Sequence, residues 1–267
     1  MERHRKLASL QYREEYNTME TIAVINQKGG VGKSTTAHAL LSGLTLKGYK
    51  VLAIDLDAQG NLSHTSGASS TDKTAREVLK GEITAEDAIQ HTQSGDIIPG
   101  HRGLAGADSF ITQTGKEYRL KEAIDSLKRL YDYVIIDTPP ALGILTINAL
   151  TACNKVVIPA QADIYSLQGI GQLNDTIQPV KKYCNPALQI EGILLTRYSN
   201  RAILNRQLAE LINQVAESLN TKVFKATIRD AIAVKESQAT QQSIFTYAPR
   251  AKVTEDYRAF IDEILQG

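Results

Sequence analysis

Lys28-Gly29-Gly30-Val31-Gly32-Lys33-Ser34-Thr35 is the stretch whose residue types and spacing could do chemistry. Three glycines let a backbone approach an anion closely and turn its N–H groups inward, and a helix that follows points its positive end at the same place. A nucleotide polyphosphate fits such a cradle. Lys33 would reach the β- and γ-phosphates, and the Ser34 hydroxyl would ligate a Mg²⁺ bridging them. The general Gly-x4-Gly-Lys-Ser/Thr pattern fails at its first position, where Gln27 stands. The run that is present, Lys-Gly-Gly-x-Gly-Lys-Ser, arises by chance at about one in ten thousand or less, which disfavours a plain glycine turn. Lys28 adds a second positive charge beside the same phosphates, acting through Coulomb attraction.

Two further stretches bring carboxylates. The apolar run Lys50 to Ile54 ends in Asp55-Leu56-Asp57-Ala58-Gln59-Gly60-Asn61, and Tyr131 to Ile136 ends in Asp137-Thr138-Pro139-Pro140. With the apolar run Thr21 to Ile25 ahead of the glycine loop, strand, loop, helix and second strand make a βαβ unit with a right-handed crossover. Ligands of open parallel sheets sit at the carboxyl ends of strands, so Asp55 and Asp57 are expected beside the phosphates. Alternation places the two on one side of the extended segment, where one carboxylate would orient a metal's water shell and the other an attacking water. Asp137, at a strand end, would hold the Mg²⁺ through water and complete the site begun by Ser34.

The elements that must position these groups alternate along the chain. A helical stripe through Leu40, Leu41 and Leu44 runs over 37–47 and stops at Gly48. Helices are expected over 74–79 and 85–91, then a short strand over 96–99. Beyond the Asp137 strand come a helix over 146–152, a strand over 155–159, a helix over 167–182, a strand over 190–195 and a helix over 202–219. This alternation predicts an α/β fold with a doubly wound, mostly parallel sheet and helices on both faces. A terminal helix over 253–265 has an apolar stripe at Val253, Tyr257, Phe260, Ile261 and Ile264 and an acidic polar face, which predicts packing on the core.

The chain has 267 residues, 42% of them hydrophobic, enough for one large domain with a core. A net charge of +1 means that any nucleic-acid affinity must come from a local patch. Cys153 and Cys184 show no metal-ligand spacing and read as inert thiols, and no apolar run approaches the length of a membrane span. A cytoplasmic location is expected. Residues 1–18 read either as an unpacked tail, with Met19 as the natural start, or as a basic arm that touches DNA or a partner.

Asn26 to Thr36 resembles the deviant Walker A loop of the ParA/Soj partition ATPases of the MinD/ParA superfamily, and the resemblance extends over nearly the whole chain after Met19. It implies a P-loop NTPase fold of about seven or eight strands, forming a single ATPase domain over 19–267. It makes Lys33 the lysine that serves its own nucleotide and Lys28 the signature lysine that reaches across an ATP-sandwich homodimer. Asp55-Leu56-Asp57-Ala58-Gln59-Gly60-Asn61 resembles the family's Asp-x-Asp-Pro-Gln-Gly-Asn, with Ala58 replacing proline, so Asp57 is the hydrolytic aspartate and Asp55 its support at the metal. The implied activity is a slow Mg²⁺-dependent ATPase that binds double-stranded DNA nonspecifically, associates with the nucleoid when ATP-bound, and segregates DNA with a ParB-like centromere-binding partner. Arg197, Arg201, Arg229, Lys235, Arg250 and Lys252 are candidate DNA contacts if the fold gathers them into one stripe, and otherwise read as solvated surface charge; the family's Pro-Arg-Asn is not reproduced.

Two other classes share this scaffold. MinD-like membrane-cycling ATPases end in a basic amphipathic helix, whereas this terminal helix is acidic, and no membrane partner is expected. Among metabolic and electron-transfer enzymes, the nitrogenase iron protein needs a cysteine soon after its Walker B strand, and residues 141–151 contain none. A ligase of the dethiobiotin synthetase type would need a small-substrate pocket that the sequence does not identify.

Overall fold

The computed structural model describes residues 19–199 and 203–266. The extension before Met19 and the expected DNA contact Arg201 lie outside the described residues. In chain order the elements are β1 (Glu20–Val24), α1 (Lys33–Leu46), β2 (Val51–Asp55), α2 (Asn61–Ser66), α3 (Ala75–Lys80), β3 (Gln90–Thr92), β4 (Gly95–Ile98), α4 (Ala107–Phe110), α5 (Arg119–Asp125), β5 (Tyr133–Asp137), α6 (Ile144–Ala152), β6 (Lys155–Ala160), α7 (Ile164–Tyr183), β7 (Gln189–Leu195), α8 (Ile203–Ser218), α9 (Ile232–Ala239), α10 (Ile244–Tyr247) and α11 (Lys252–Gln266). Strands β2 and β5 are buried at every residue, which requires helices on both faces of the sheet.

Seven strands run in the order β3-β4-β2-β5-β1-β6-β7, all parallel except β3, which pairs antiparallel with β4 at one edge. Register decides where the chemistry lies. Val24 at the end of β1 and Asp55 at the end of β2 both pair with Asp137 at the end of β5, so the three chain exits lie side by side at one edge of the sheet.

Each face carries its own core. On one side α3, α5, α6, α7 and α8 bury residues such as Leu79, Ile124, Leu150, Leu173 and Ile212. On the other, α1, α10 and α11 pack together, and the expected stripe of Val253, Tyr257, Phe260, Ile261 and Ile264 is buried there. Gly43 permits the close approach, since a Cβ on it would press on the Ile261 side chain and come within 3.0 Å of the Phe245 ring.

The expected helix over 85–91 does not form. Thr84 and Asp87 exchange hydrogen bonds that start a turn, but only Glu86–Ala88 coils before Gln90 to Thr92 pairs with the open edge of β4. Edge pairing in a hairpin outweighs the local helical pattern. Helices α2, α4, α5, α9 and α10 are additions that the apolar pattern did not announce.

Candidate functional site

The glycine loop is braced from below. Asn26 Nδ2 donates to the Pro159 carbonyl at 2.7 Å, and its Oδ1 accepts from the Lys28 N–H at 2.9 Å, which ties the loop to the end of β6. Gly30 and Gly32 take φ values of 74° and 92°, the left-handed region that glycine enters freely. Helix α1 then begins at Lys33 with no side-chain cap and no acidic residue in its first turn, so its leading amides stay available to an anion. Lys33 itself is 7% exposed and donates from Nζ to the Lys28 carbonyl at 3.2 Å. Burial lowers its pKa, while the Asp137 and Asp57 carboxylates pull it back up.

Asp137 is fully buried, and neither carboxylate oxygen has a hydrogen-bond partner among the described residues. Burial raises its pKa well above the usual carboxylate range, and Asp55 adds to the rise against the opposing Ser34 hydroxyl and Lys33 ammonium. A buried carboxylate without partners is costly unless a cation or donor arrives. The residues present therefore fit a hydrated divalent cation held by the Ser34 hydroxyl, with Asp137 acting through its water shell.

Of the two carboxylates expected beside the phosphates, Asp55 at the end of β2 and Asp57 just beyond it, only Asp57 borders the phosphate cavity. Asp55 is completely buried, and its oxygens are committed: Oδ1 accepts from the Asp57 N–H at 3.0 Å, while Oδ2 accepts from the Ser63 N–H at 2.9 Å and the Ser63 hydroxyl at 2.6 Å. Burial pushes its pKa up to about 6 against those bonds. Asp55 thus shapes the loop rather than lining the cavity. Asp57 lines it, with Oδ1 accepting from the Gln59 N–H at 3.0 Å. Gly100 closes the structure from behind, because a Cβ there would stand 2.9 Å from the Asp57 carbonyl and 3.0 Å from the Asp55 carboxyl carbon.

The resulting cavity of about 510 Å³ is walled by Gly29, Gly30, Gly32, Lys33, Ser34 and Thr35 on one side. Asp57, Gln59, Pro140, Arg197 and Gln238 are among the residues that border it elsewhere. Gln59, Pro140 and Gln238 were not expected there, and only Gln59, adjacent to the aspartates, had a local signal. Val31 is buried beneath the loop. Lys28 does not line the cavity. Its ammonium is paired with Asp163, the N-cap of α7, and lies 5.9 Å from the Tyr165 ring centroid.

The expected DNA contacts scatter. Arg197, Arg229 and Lys235 border one small slot beside Gly32 and Thr35, whereas Arg250 and Lys252 stand exposed at the start of α11. Arg229 is committed within the fold, its Nε and Nη2 donating to Asp256 at 2.6 and 2.7 Å. Cys153 is buried with its thiol pKa raised to about 12, and among the described residues no group of three or more His, Cys, Asp or Glu is placed to hold a metal by itself. No helix among the described residues is long and apolar enough to cross a membrane.

A mostly parallel sheet in which the inner strand β1 opens into an amide-lined glycine loop, with aspartates ending β5 and β2 on one side of it, defines a P-loop nucleotide-binding protein. A family model described as an AAA domain matches residues 19–190. The chain is 40% identical over 248 residues to the sporulation initiation inhibitor protein Soj of Bacillus subtilis, covering 91% of this chain and 97% of that one. It is 36% identical over 256 residues to the chromosome partitioning protein ParA of Caulobacter vibrioides, covering 93% and 95%. The chain belongs to the ParA/Soj family within the MinD/ParA superfamily of P-loop ATPases. Among solved structures, one named cobyrinic acid a,c-diamide synthase from Mycobacterium smegmatis, with bound ATP analogue and magnesium, is 34% identical with a TM-score of 0.81, covering 93% of this chain and 95% of that one. The septum site-determining protein MinD of Pyrococcus horikoshii, complexed with Mg-ADP, is 25% identical with a TM-score of 0.76, covering 94% and 98%.

Proposed function

We propose that this chain is a Mg²⁺-dependent ATPase that pairs into an ATP-sandwich homodimer, binds double-stranded DNA without sequence preference, and drives DNA partition with a ParB-like partner. The observation that carries the reading is Asp137: a fully buried carboxylate without a partner, beside Lys33 and Ser34 at an uncapped helix start. The bound Mg²⁺ would supply charge neutralisation to the β- and γ-phosphates. Lys33 would turn from the Lys28 carbonyl to the same phosphates, the loop amides would bind their oxygens, and Asp57 on the cavity wall would orient the attacking water. Asp55 holds Asp57 in place through the loop. Lys28 would leave Asp163 and reach the nucleotide of the partner subunit, which makes the complete site a property of the dimer. With no arginine of the chain assigned to the leaving-group charge, basal turnover is slow and the partner protein accelerates it.

The test is Asp57→Ala. The variant is expected to retain ATP binding and the ATP-dependent dimer while phosphate release stops; normal turnover would refute the assignment.

One observation favours a second reading. A cavity of about 520 Å³ next to the phosphate cavity, bordered by Gln59, His64, Ser70, His101 and Arg102, has room for a small substrate. The likeness to the structure named cobyrinic acid a,c-diamide synthase accords with a metabolic enzyme on this scaffold. Phosphate release stimulated by a small carboxylic-acid substrate, and unaffected by duplex DNA, would favour that reading over partition.

A further inference from the structure

The second cavity, of about 520 Å³, lies between α2 with its flanking turns and the loop that leaves β4. Its volume is in the range that small-molecule sites occupy. The lining carries His64 on α2 and His101 and Arg102 on the loop, and it contains no carboxylate. The acids nearest in the chain, Asp55, Asp57 and Asp72, do not border it. In a chain with 30 lysines and arginines against 29 aspartates and glutamates, three basic residues with no acid among them are a local imbalance of charge.

The donors around the cavity are also unspent. Neither the Arg102 guanidinium nor the His64 ring makes a hydrogen bond or ion pair among the described residues. His101 Nδ1 accepts from the Gly103 N–H at 3.0 Å, so in the neutral ring the proton sits on Nε2, where it has no partner among the described residues. The Ser70 hydroxyl, 3.9 Å from the place that a Cβ on Gly60 would take, is likewise without one. Ala58 adds a backbone donor. The related motif has proline at this position, which carries no N–H, whereas the Ala58 N–H is present at the cavity and makes no hydrogen bond among the described residues. Cationic side chains, hydroxyls and a free amide gathered without a counter-charge are the chemistry that holds oxyanions.

We propose that this cavity binds a small anion bearing carboxylate or phosphate groups, its oxygens held by Arg102, His101 Nε2, the Ser70 hydroxyl and the Ala58 N–H. These donors lie outside the glycine loop, so the binding stands whether partition or a metabolic reaction is the activity. Gln59 and His64 border both cavities, which sets the anion next to the phosphate site.

Calorimetric titration of the full chain, free of nucleotide and Mg²⁺, with citrate and separately with inorganic phosphate tests the assignment. One anion per chain is expected to bind, and the tighter of the two probes identifies carboxylate or phosphate as the group recognised. Arg102→Gln is expected to weaken that probe about tenfold; Arg102 is exposed, so the exchange leaves the core undisturbed. Ala58→Pro, which removes one donor and no charge, is expected to weaken it several-fold. Lys33→Ala, which takes the cation from the glycine loop, is expected to leave it unchanged. No binding of either probe at millimolar concentration overturns the proposal. Binding that Lys33→Ala abolishes and Arg102→Gln spares also overturns it, since the anion would then occupy the phosphate loop, and the nucleotide reading would stand. An unchanged titration in Arg102→Gln together with loss of duplex-DNA retention overturns it as well, making Arg102 a DNA contact.

Discussion

Replacing Asp163 with asparagine should tighten the ATP-dependent dimer. In the single subunit the Lys28 ammonium is occupied by Asp163, so an in-trans role for Lys28 requires breaking that pair first. The side chains are 27% and 31% exposed, which puts the pair among surface ion pairs worth roughly 0.5–1 kcal/mol. A symmetric dimer breaks two of them, so neutralising Asp163 should favour association by about 1–2 kcal/mol, or roughly 5- to 30-fold in the dimer dissociation constant. Asparagine is the informative choice because Asp163 also caps α7, its Oδ1 accepting from the Ser166 N–H at 2.9 Å, and asparagine caps equally well. The assay is sedimentation velocity over a concentration series with ATP, in an Asp57→Ala background that prevents turnover. Raising the salt should shrink the difference between parent and variant. A dimer unchanged or weakened in Asp163→Asn would refute the reasoning, and a weakened one would show that Asp163 serves the interface itself.

Two further outcomes follow from buried groups near α1. His38 is almost wholly buried, 3.0 Å from the Ser94 hydroxyl through Nε2, and burial lowers its pKa to about 4. Because the folded value lies below the unfolded one, its contribution to stability is complete above about pH 6.5 and is lost as pH falls toward 4; by pH 4.5 the loss is about 2.5 kcal/mol, or roughly 5–10 °C in Tm. Asp55 and Asp137 shift the opposite way over the same range, so the measurement is the difference in Tm between parent and His38→Gln, and parallel acid profiles would contradict it. Gly43→Ala should lower stability by about 1–2 kcal/mol through crowding against Ile261 and Phe245, and Ile261→Val in the same chain should restore most of it, as read by urea denaturation.

Much of the phosphate end was legible because its chemistry is local. Glycine spacing fixes a loop that can take positive φ, the residues after it start a helix, and apolar runs ending in aspartate stop at the carboxyl edge of a parallel sheet. The helix over 85–91 was misread for the converse reason. Its pattern is compatible with a helix, and the open edge of β4 that claims Gln90 to Thr92 exists only once the sheet has assembled.

The same boundary separates what the chain alone determined from what the tertiary structure decided. Residue order settled the identity of the phosphate loop, the three strand-end aspartates and the apolar stripe of the terminal helix, since each depends on neighbours within a few positions. Only the assembled sheet gave those aspartates separate tasks: Ser63 and the Asp57 amide bind Asp55 and withdraw it, Asp57 faces the cavity, and Asp137 is left buried without a partner. It also removed Arg229 to Asp256 and carried Arg197 and Gln238 to the phosphate loop from far along the sequence. A charge in a sequence has no direction; its partner and its exposure are set by which distant segments pack beside it.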